Sequence, residues 1–294
     1  MVQYKKPMVF YAMASVLISC SNISFSQENF IPQPLISTVE LYRASIAKKA
    51  VTLVVHGLNV KPEAMLSLVK WLNENGSDAY LVKLAGHHER SSEANEITGA
   101  VWEAEIKDAF DLAKRASHDS AVPLYFLGYS LGGLLGPAMV CNGAGYYQFD
   151  KQLLFAPAIG IRTRSHLIKL TFFLNQDWKL PSYTPEAYRA NKGLYIRFYK
   201  IMFREEKMLR KNRFNYVNIP TIVFIDPADE LISYRKLRKL SNRFQLNNFR
   251  FIALDSKMVN RETSYHHLII NEQTMGEKNW TLVTGEMAKF LFDD

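Results

Sequence analysis

The sequence is short of cysteine, of repetition and of long apolar runs. Its 294 residues include only Cys20 and Cys141, so at most one disulfide could form within the chain. No internal repeat or low-complexity tract occurs, which excludes a solenoid and argues against disorder. The apolar stretch near the N-terminus, Met8 to Ser19, has 12 residues and is too short to span a bilayer. Acidic residues are scarce in one region. From Ile161 to Arg213 there are 13 Lys and Arg against 4 Asp and Glu, a net of +9 that exceeds the +8 of the whole chain. The positive charge is therefore local, and by itself it permits nucleic acid, an anionic membrane or no charged partner. At 48% hydrophobic, the chain can bury a full core as one domain with a sizeable insertion or as two closely packed lobes.

Residues 1–26 read as a leader. Lys5 and Lys6 precede the apolar stretch, which ends in Leu17-Ile18-Ser19-Cys20. That ending resembles the bacterial lipoprotein processing box, and the resemblance implies cleavage before Cys20 and its lipidation. Acyl chains at about 0.8 kcal/mol per buried CH₂ would anchor the protein in the cell envelope, and a Cys20–Cys141 disulfide is not expected. The alternative is cleavage after Ser24-Phe25-Ser26, which discards Cys20 and releases a soluble periplasmic protein. Residues 27–50 then carry an extended tether with Pro32 and Pro34, followed by an early strand at about Leu35 to Tyr42.

Largely apolar stretches at 51–55, 79–84, 123–127, 152–155, 221–225 and 249–254 predict strands, and the run Val51–Val55 is typical of a strand buried in a parallel sheet. Between them, 3.6-residue periodicity predicts helices over 62–75, 100–116, the stretch after Ser130, and 276–292. Alternation of this kind implies an α/β fold, a mostly parallel sheet flanked by helices, with reacting groups beyond the carboxyl ends of its strands. Residues 51–158 and 218–294 form the expected core. Residues 159–217 are a helical insertion, far longer than the dozen or so residues a simple crossover needs.

Gly128-Tyr129-Ser130-Leu131-Gly132-Gly133 joins a strand to a helix. A tight turn here would hold Ser130 in a strained conformation with its hydroxyl projecting, and Gly128 and Gly132 leave room on either side. A serine nucleophile needs a base, an acid that orients the base, and donors for an oxyanion. Downstream strand ends offer Asp229, with Asp226 a weaker candidate at the strand's edge, and then the pair His266-His267. His56, His87 and His88 read as turn and loop scaffolding, and His118 as an exposed loop residue. Neither histidine pair has metal-ligand spacing, so no metal or other cofactor is expected.

Three stretches resemble the α/β-hydrolase superfamily, in its branch of carboxylesterases, monoacylglycerol lipases and serine aminopeptidases. They are His56-Gly57-Leu58, Leu84-Ala85-Gly86-His87 and the Gly128–Gly133 turn. The resemblance implies a Ser130 nucleophile, an oxyanion hole from the backbone N–H groups of Leu58 and Leu131, and Asp229 as the acid. His266 is preferred as base for its distance to the final helix, with His267 the alternative. The implied activity is hydrolysis of a carboxylic ester, of an acyl lipid or small molecule; an aminopeptidase or a non-catalytic binding protein are the rivals. The insertion would be a cap over the site. On a helix within it, Arg197, Lys200, Arg204, Lys207 and Lys211 fall in an arc of about 80°. Leu194, Phe198, Ile201, Met202 and Leu209 lie opposite. This helix would either meet an anionic membrane or hold an anionic substrate head group, or else pack its apolar side on the core with its basic side solvated; nucleic acid is not an expected partner.

Overall fold

The computed structural model describes residues 39–87, 97–143, 145–211, 214–258 and 265–293. The leader, Cys20, the tether, His88 and Arg213 lie outside these residues. Seven strands form one sheet in the order β1-β3-β2-β4-β5-β8-β9. They are β1 (Val39–Tyr42), β2 (Ala50–Val55), β3 (Ser77–Val82), β4 (Leu124–Tyr129), β5 (Lys151–Phe155), β8 (Thr221–Ile225) and β9 (Phe249–Ala253). Only β1 runs antiparallel to its neighbour; the other pairings are parallel. Strands β2, β4 and β8 are buried at every position, as their largely apolar sequence requires when both sheet faces are covered.

The covering helices are α1 (Leu66–Glu74), α2 (Gly99–Asp119), α3 (Gly132–Asn142), α5 (Tyr234–Arg243), α6 (Glu272–Met275) and α7 (Glu277–Leu291). Thr98 caps α2 by accepting the Val101 N–H, and Asn271 caps α6 with the Thr274 N–H. His118 sits in the last turn of α2 rather than in a loop, exposed beside Asp119.

Strand β3 begins two residues before the apolar run. Ser77 Oγ bonds Thr52 Oγ1 at 2.7 Å, and Asp78 pairs with Lys48 at 2.7 Å, so both polar side chains are satisfied inside the sheet.

Between β5 and β8 the inserted segment is not wholly helical, contrary to expectation. It holds a 3₁₀ helix (Thr163–Thr171), a short hairpin of β6 (Lys179–Pro181) and β7 (Gly193–Tyr195), and α4 (Ile196–Lys211). The hairpin strands have three residues each, too few for alternation to show in sequence. Helix α4 packs its apolar side inward: Ile196, Phe198, Phe203 and Leu209 are buried, and Phe198 stacks near Trp102 and His87. That side is therefore unavailable to lipid. Glu205 and Glu206 are buried on the same helix, where desolvation raises both carboxyl pKa values against the neighbouring arginines.

Candidate active site

Ser130 stands between β4 and α3 with φ +49°, a left-handed conformation costly for a side chain other than glycine. Its N–H donates to Phe155 O at 2.9 Å and its O accepts from Ala158 N at 2.9 Å, so the turn is held from β5. The flanking glycines are sterically required. A Cβ on Gly132 would lie 2.1 Å from Val55 O, and one on Gly128 would lie 2.7 Å from Gly132 C and Gly133 N.

Ser130 Oγ lies 2.9 Å from Nε2 of His267, and Nδ1 of the same ring lies 2.8 Å from Asp229 Oδ2. Ser130, His267 and Asp229 are all buried. The other oxygen of Asp229 accepts the Leu231 and Ile232 N–H groups at 2.7 Å each, so the buried carboxylate has three donors in all. With Nδ1–H donating to Asp229, Nε2 is left to accept the serine hydroxyl proton.

The preference for His266 is corrected by this geometry. His266 turns away from Ser130, and its Nδ1 lies 2.8 Å from Asp226 Oδ2. Asp226 Oδ1 accepts the Ala228 N–H at 2.7 Å and is also bonded by Ser256 Oγ. Two Asp–His pairs thus lie side by side, and only one reaches the serine. What separates them is Glu230: its Oε1 accepts the His266 N–H and its Oε2 the His267 N–H, each at 3.0 Å. A carboxylate chelating two successive N–H groups fixes the direction of both side chains. The Tyr129 hydroxyl donates to His267 O at 3.1 Å and braces the same turn. Glu230 and Tyr129 were not singled out from the sequence, where nothing marks either as facing this turn.

On the opposite side, His56 is buried with Nδ1 2.8 Å from Gly57 O and Nε2 accepting Leu84 N–H at 3.2 Å, which sets its tautomer and its scaffolding place. His87 is buried with Nδ1 3.1 Å from Ala85 O. The loop after β2 is tied to the insertion. Asn59, at φ +55°, donates from its side chain to Asn191 O and accepts from Asn191 N, both at 2.9 Å. Among the described residues the backbone N–H groups of Leu58 and Leu131 have no hydrogen-bond acceptor. Arg162 from the insertion donates through Nε to Asp229 O at 2.5 Å and through its amino group to Pro227 O at 3.0 Å, pinning the acid's loop.

Ser130 and His267 open into a cavity of about 790 Å³. Its lining is mainly apolar, including Leu58, Ile161, Ile168, Leu194, Met202 and Phe203, with Arg164 and Glu230 the charged members. Tyr199 and Tyr265 also face it. Burial raises the Tyr199 phenol to about 12, and burial together with the Asp229 and Glu230 carboxylates raises that of Tyr265, so both stay neutral. Beneath the His56 loop, Glu105 is buried with both oxygens on the Ala85 N–H, and desolvation raises its pKa to about 7.

A mostly parallel sheet with a strained serine between strand and helix, and an Asp–His pair arriving from later strand ends, defines an α/β hydrolase. Residues 46–194 match the family described as serine aminopeptidase, S33, and the chain belongs to that family. No curated protein matches the sequence. Solved structures share the fold at low identity. One of the metagenome-derived lipolytic enzymes LipS and LipT superposes with TM-score 0.68 at 18% identity, over 88% of this chain and 99% of that one. A soluble variant of monoglyceride lipase from Saccharomyces cerevisiae, bound to a substrate analog, gives 0.62 at 12% identity over 86% and 90%. The carboxyl esterase of Bacillus coagulans, bound to glycerol, gives 0.61 at 11% over 86% and 94%.

Proposed function

We propose that the protein is a serine hydrolase of carboxylic esters acting through an acyl-serine intermediate. The observation that carries this is the unbroken relay from Ser130 Oγ through His267 to Asp229, set at the wall of a large apolar cavity. His267 takes the hydroxyl proton as Ser130 attacks the ester carbonyl, and Asp229 stabilises the imidazolium. The N–H groups of Leu58 and Leu131 stabilise the oxyanion. The protonated His267 then gives its proton to the leaving alcohol, and water repeats the sequence on the acyl-enzyme. An apolar lining suits an acyl chain, and lipase and esterase relatives of the same fold are consistent with that substrate class.

A second activity is favoured by one feature. Glu230 places a carboxylate on the cavity wall, where it could hold a free amine and so direct the site toward aminoacyl substrates. Both its oxygens already accept backbone N–H groups, which weakens it as an amine anchor. A panel of p-nitrophenyl esters against aminoacyl p-nitroanilides separates the two. Turnover of esters, abolished by Ser130→Ala, is the expected result; turnover of aminoacyl amides alone would transfer the assignment to peptides. We further propose export to the cell envelope with lipidation at Cys20, the segment 159–217 acting as the cap. The intact mass of the mature N-terminal peptide distinguishes a lipidated Cys20 from a chain cleaved after Ser26.

A further inference from the structure

The outer wall of the cavity is unusual. In the 3₁₀ helix Thr163–Thr171, side chains three apart lie on one edge, so the segment has three edges. Ser165 and Ile168 line the cavity. His166, Lys169 and, just past the helix, Phe172 all meet Phe203 of α4: the two rings have centroids 5.0 and 6.0 Å away, and Lys169 Nζ lies 4.3 Å from the ring centre. The third edge, Leu167 and Leu170, continued by Phe173, faces solvent. Leu167 is 65% exposed, Leu170 67% and Phe173 84%. Because the other two edges are engaged, turning the helix to bury these side chains would expose the cavity or strip Phe203. The row is held outward by construction.

Trp178 and Tyr183, flanking β6, are 58% and 86% exposed, and Tyr183 also lines the cavity, which places it at the rim. Five of the eleven large exposed hydrophobic residues among those described thus fall within residues 167–183, a concentration rather than scatter. The charge around them has one sign. Arg164, Lys169 and Lys179 are exposed, and the only carboxylate of this stretch, Asp177, is paired with Arg197. Arg204, Lys207 and Lys211 extend the exposed positive charge along α4.

We propose that this face docks on a bilayer with anionic headgroups. Leu167, Leu170, Phe173, Trp178 and Tyr183 enter the interface, and Lys169 and Lys179 meet the headgroup phosphates. Protruding leucines and aromatics ringed by cations, with no unpaired carboxylate, fit an interfacial surface of that charge. Docked in this way, the rim at Tyr183 faces the source of acyl lipid. That last consequence rests on the ester-hydrolase assignment; docking itself does not.

The test uses the full chain, sedimented with vesicles of phosphatidylglycerol in phosphatidylethanolamine or of phosphatidylcholine alone. The variants are Leu170→Ser/Phe173→Ser/Trp178→Ser and Lys169→Gln/Lys179→Gln, and none of these five residues lines the cavity. Residues 1–38 are common to all, so their own affinity for vesicles cancels. The apolar variant should lose about tenfold or more in partitioning to anionic vesicles. The lysine variant should lose about tenfold on anionic vesicles, lose nothing on phosphatidylcholine, and show a weaker salt dependence. Both should retain parental unfolding temperature and parental turnover of a short soluble ester. Parental partitioning in both variants overturns docking and leaves the hydrolase assignment standing. Absence of ester turnover in the parent, with partitioning lost in the variants, does the reverse. Concentration-dependent self-association in solution that the apolar variant abolishes, with vesicle binding unchanged, would give the face to a second copy of the chain and overturn the proposal.

Discussion

Replacing the two adjacent histidines one at a time separates a relay from a brace. In His267→Ala, Ser130 Oγ loses the ring nitrogen that lies 2.9 Å from it, and Asp229 loses its ring partner at 2.8 Å. Removal of the base from an acyl-transfer site of this type costs about 10⁴- to 10⁶-fold in kcat, or about 5–8 kcal/mol of barrier. In His266→Ala, Asp226 loses one hydrogen bond but keeps the Ala228 N–H and Ser256 Oγ. The His266 side chain is 26% exposed, so water can enter and the cost to stability is on the order of 1–2 kcal/mol. Activity should stay within about tenfold of the parent, since the main-chain bonds from Glu230 to the turn survive. The assay is kcat/KM on a short p-nitrophenyl ester beside thermal unfolding of each variant. A His266→Ala loss as deep as that of His267→Ala, with the unfolding temperature unchanged, would refute the assignment of the base.

Three further outcomes are expected. Glu230→Ala removes the acceptor from two backbone N–H groups and frees the turn; kcat should fall about 10- to 100-fold with a smaller change in KM, and a change confined to KM would mean that Glu230 binds substrate instead. In Gly132→Ala the added Cβ would meet Val55 O at 2.1 Å, so the loop after β2 or the serine turn must move; a loss of at least about 2 kcal/mol or of nearly all activity should follow, and a variant normal in both denaturant unfolding and turnover would contradict the tight turn. Glu105 titrates at about 7 in the fold against an ordinary 4.5, so the folded state binds the proton more tightly. Its contribution is fully present below the unfolded value and is lost as pH rises to about 7, a swing on the order of 3 kcal/mol. Glu105→Gln should therefore flatten the stability profile between about pH 4.5 and pH 7.5 in denaturant unfolding, and an unchanged slope would remove the buried acid from the account.

Much of the sheet is readable in sequence because strands buried on both faces must be largely apolar, as Val51–Val55 and Thr221–Ile225 are apart from Thr52 and Thr221, whose hydroxyls are hydrogen-bonded inside the sheet. The serine turn is readable for a related reason: two positions that tolerate no Cβ leave a glycine on each side of a single polar residue. The choice between His266 and His267 is not readable. It depends on a turn oriented by Glu230, a residue 36 positions from His266 whose carboxylate direction no local pattern encodes. The start of β3 is hidden by Ser77 and Asp78, polar residues that only the paired strand and Lys48 make acceptable inside a sheet. The clamp between Asn59 and Asn191 spans 132 positions and uses two residues that look like ordinary loop composition. Helix α4 reads as amphipathic either way, and only packing shows that its apolar side is spent on the core.

The most direct measurement is reaction of the full chain with a fluorophosphonate, followed by mass spectrometry of its peptides. A single adduct on Ser130, formed at parental rate in His266→Ala and slowed by orders of magnitude in His267→Ala, is the predicted result. An adduct on another serine, no adduct at all, or labelling of Ser130 undiminished without His267 would contradict the proposed chemistry.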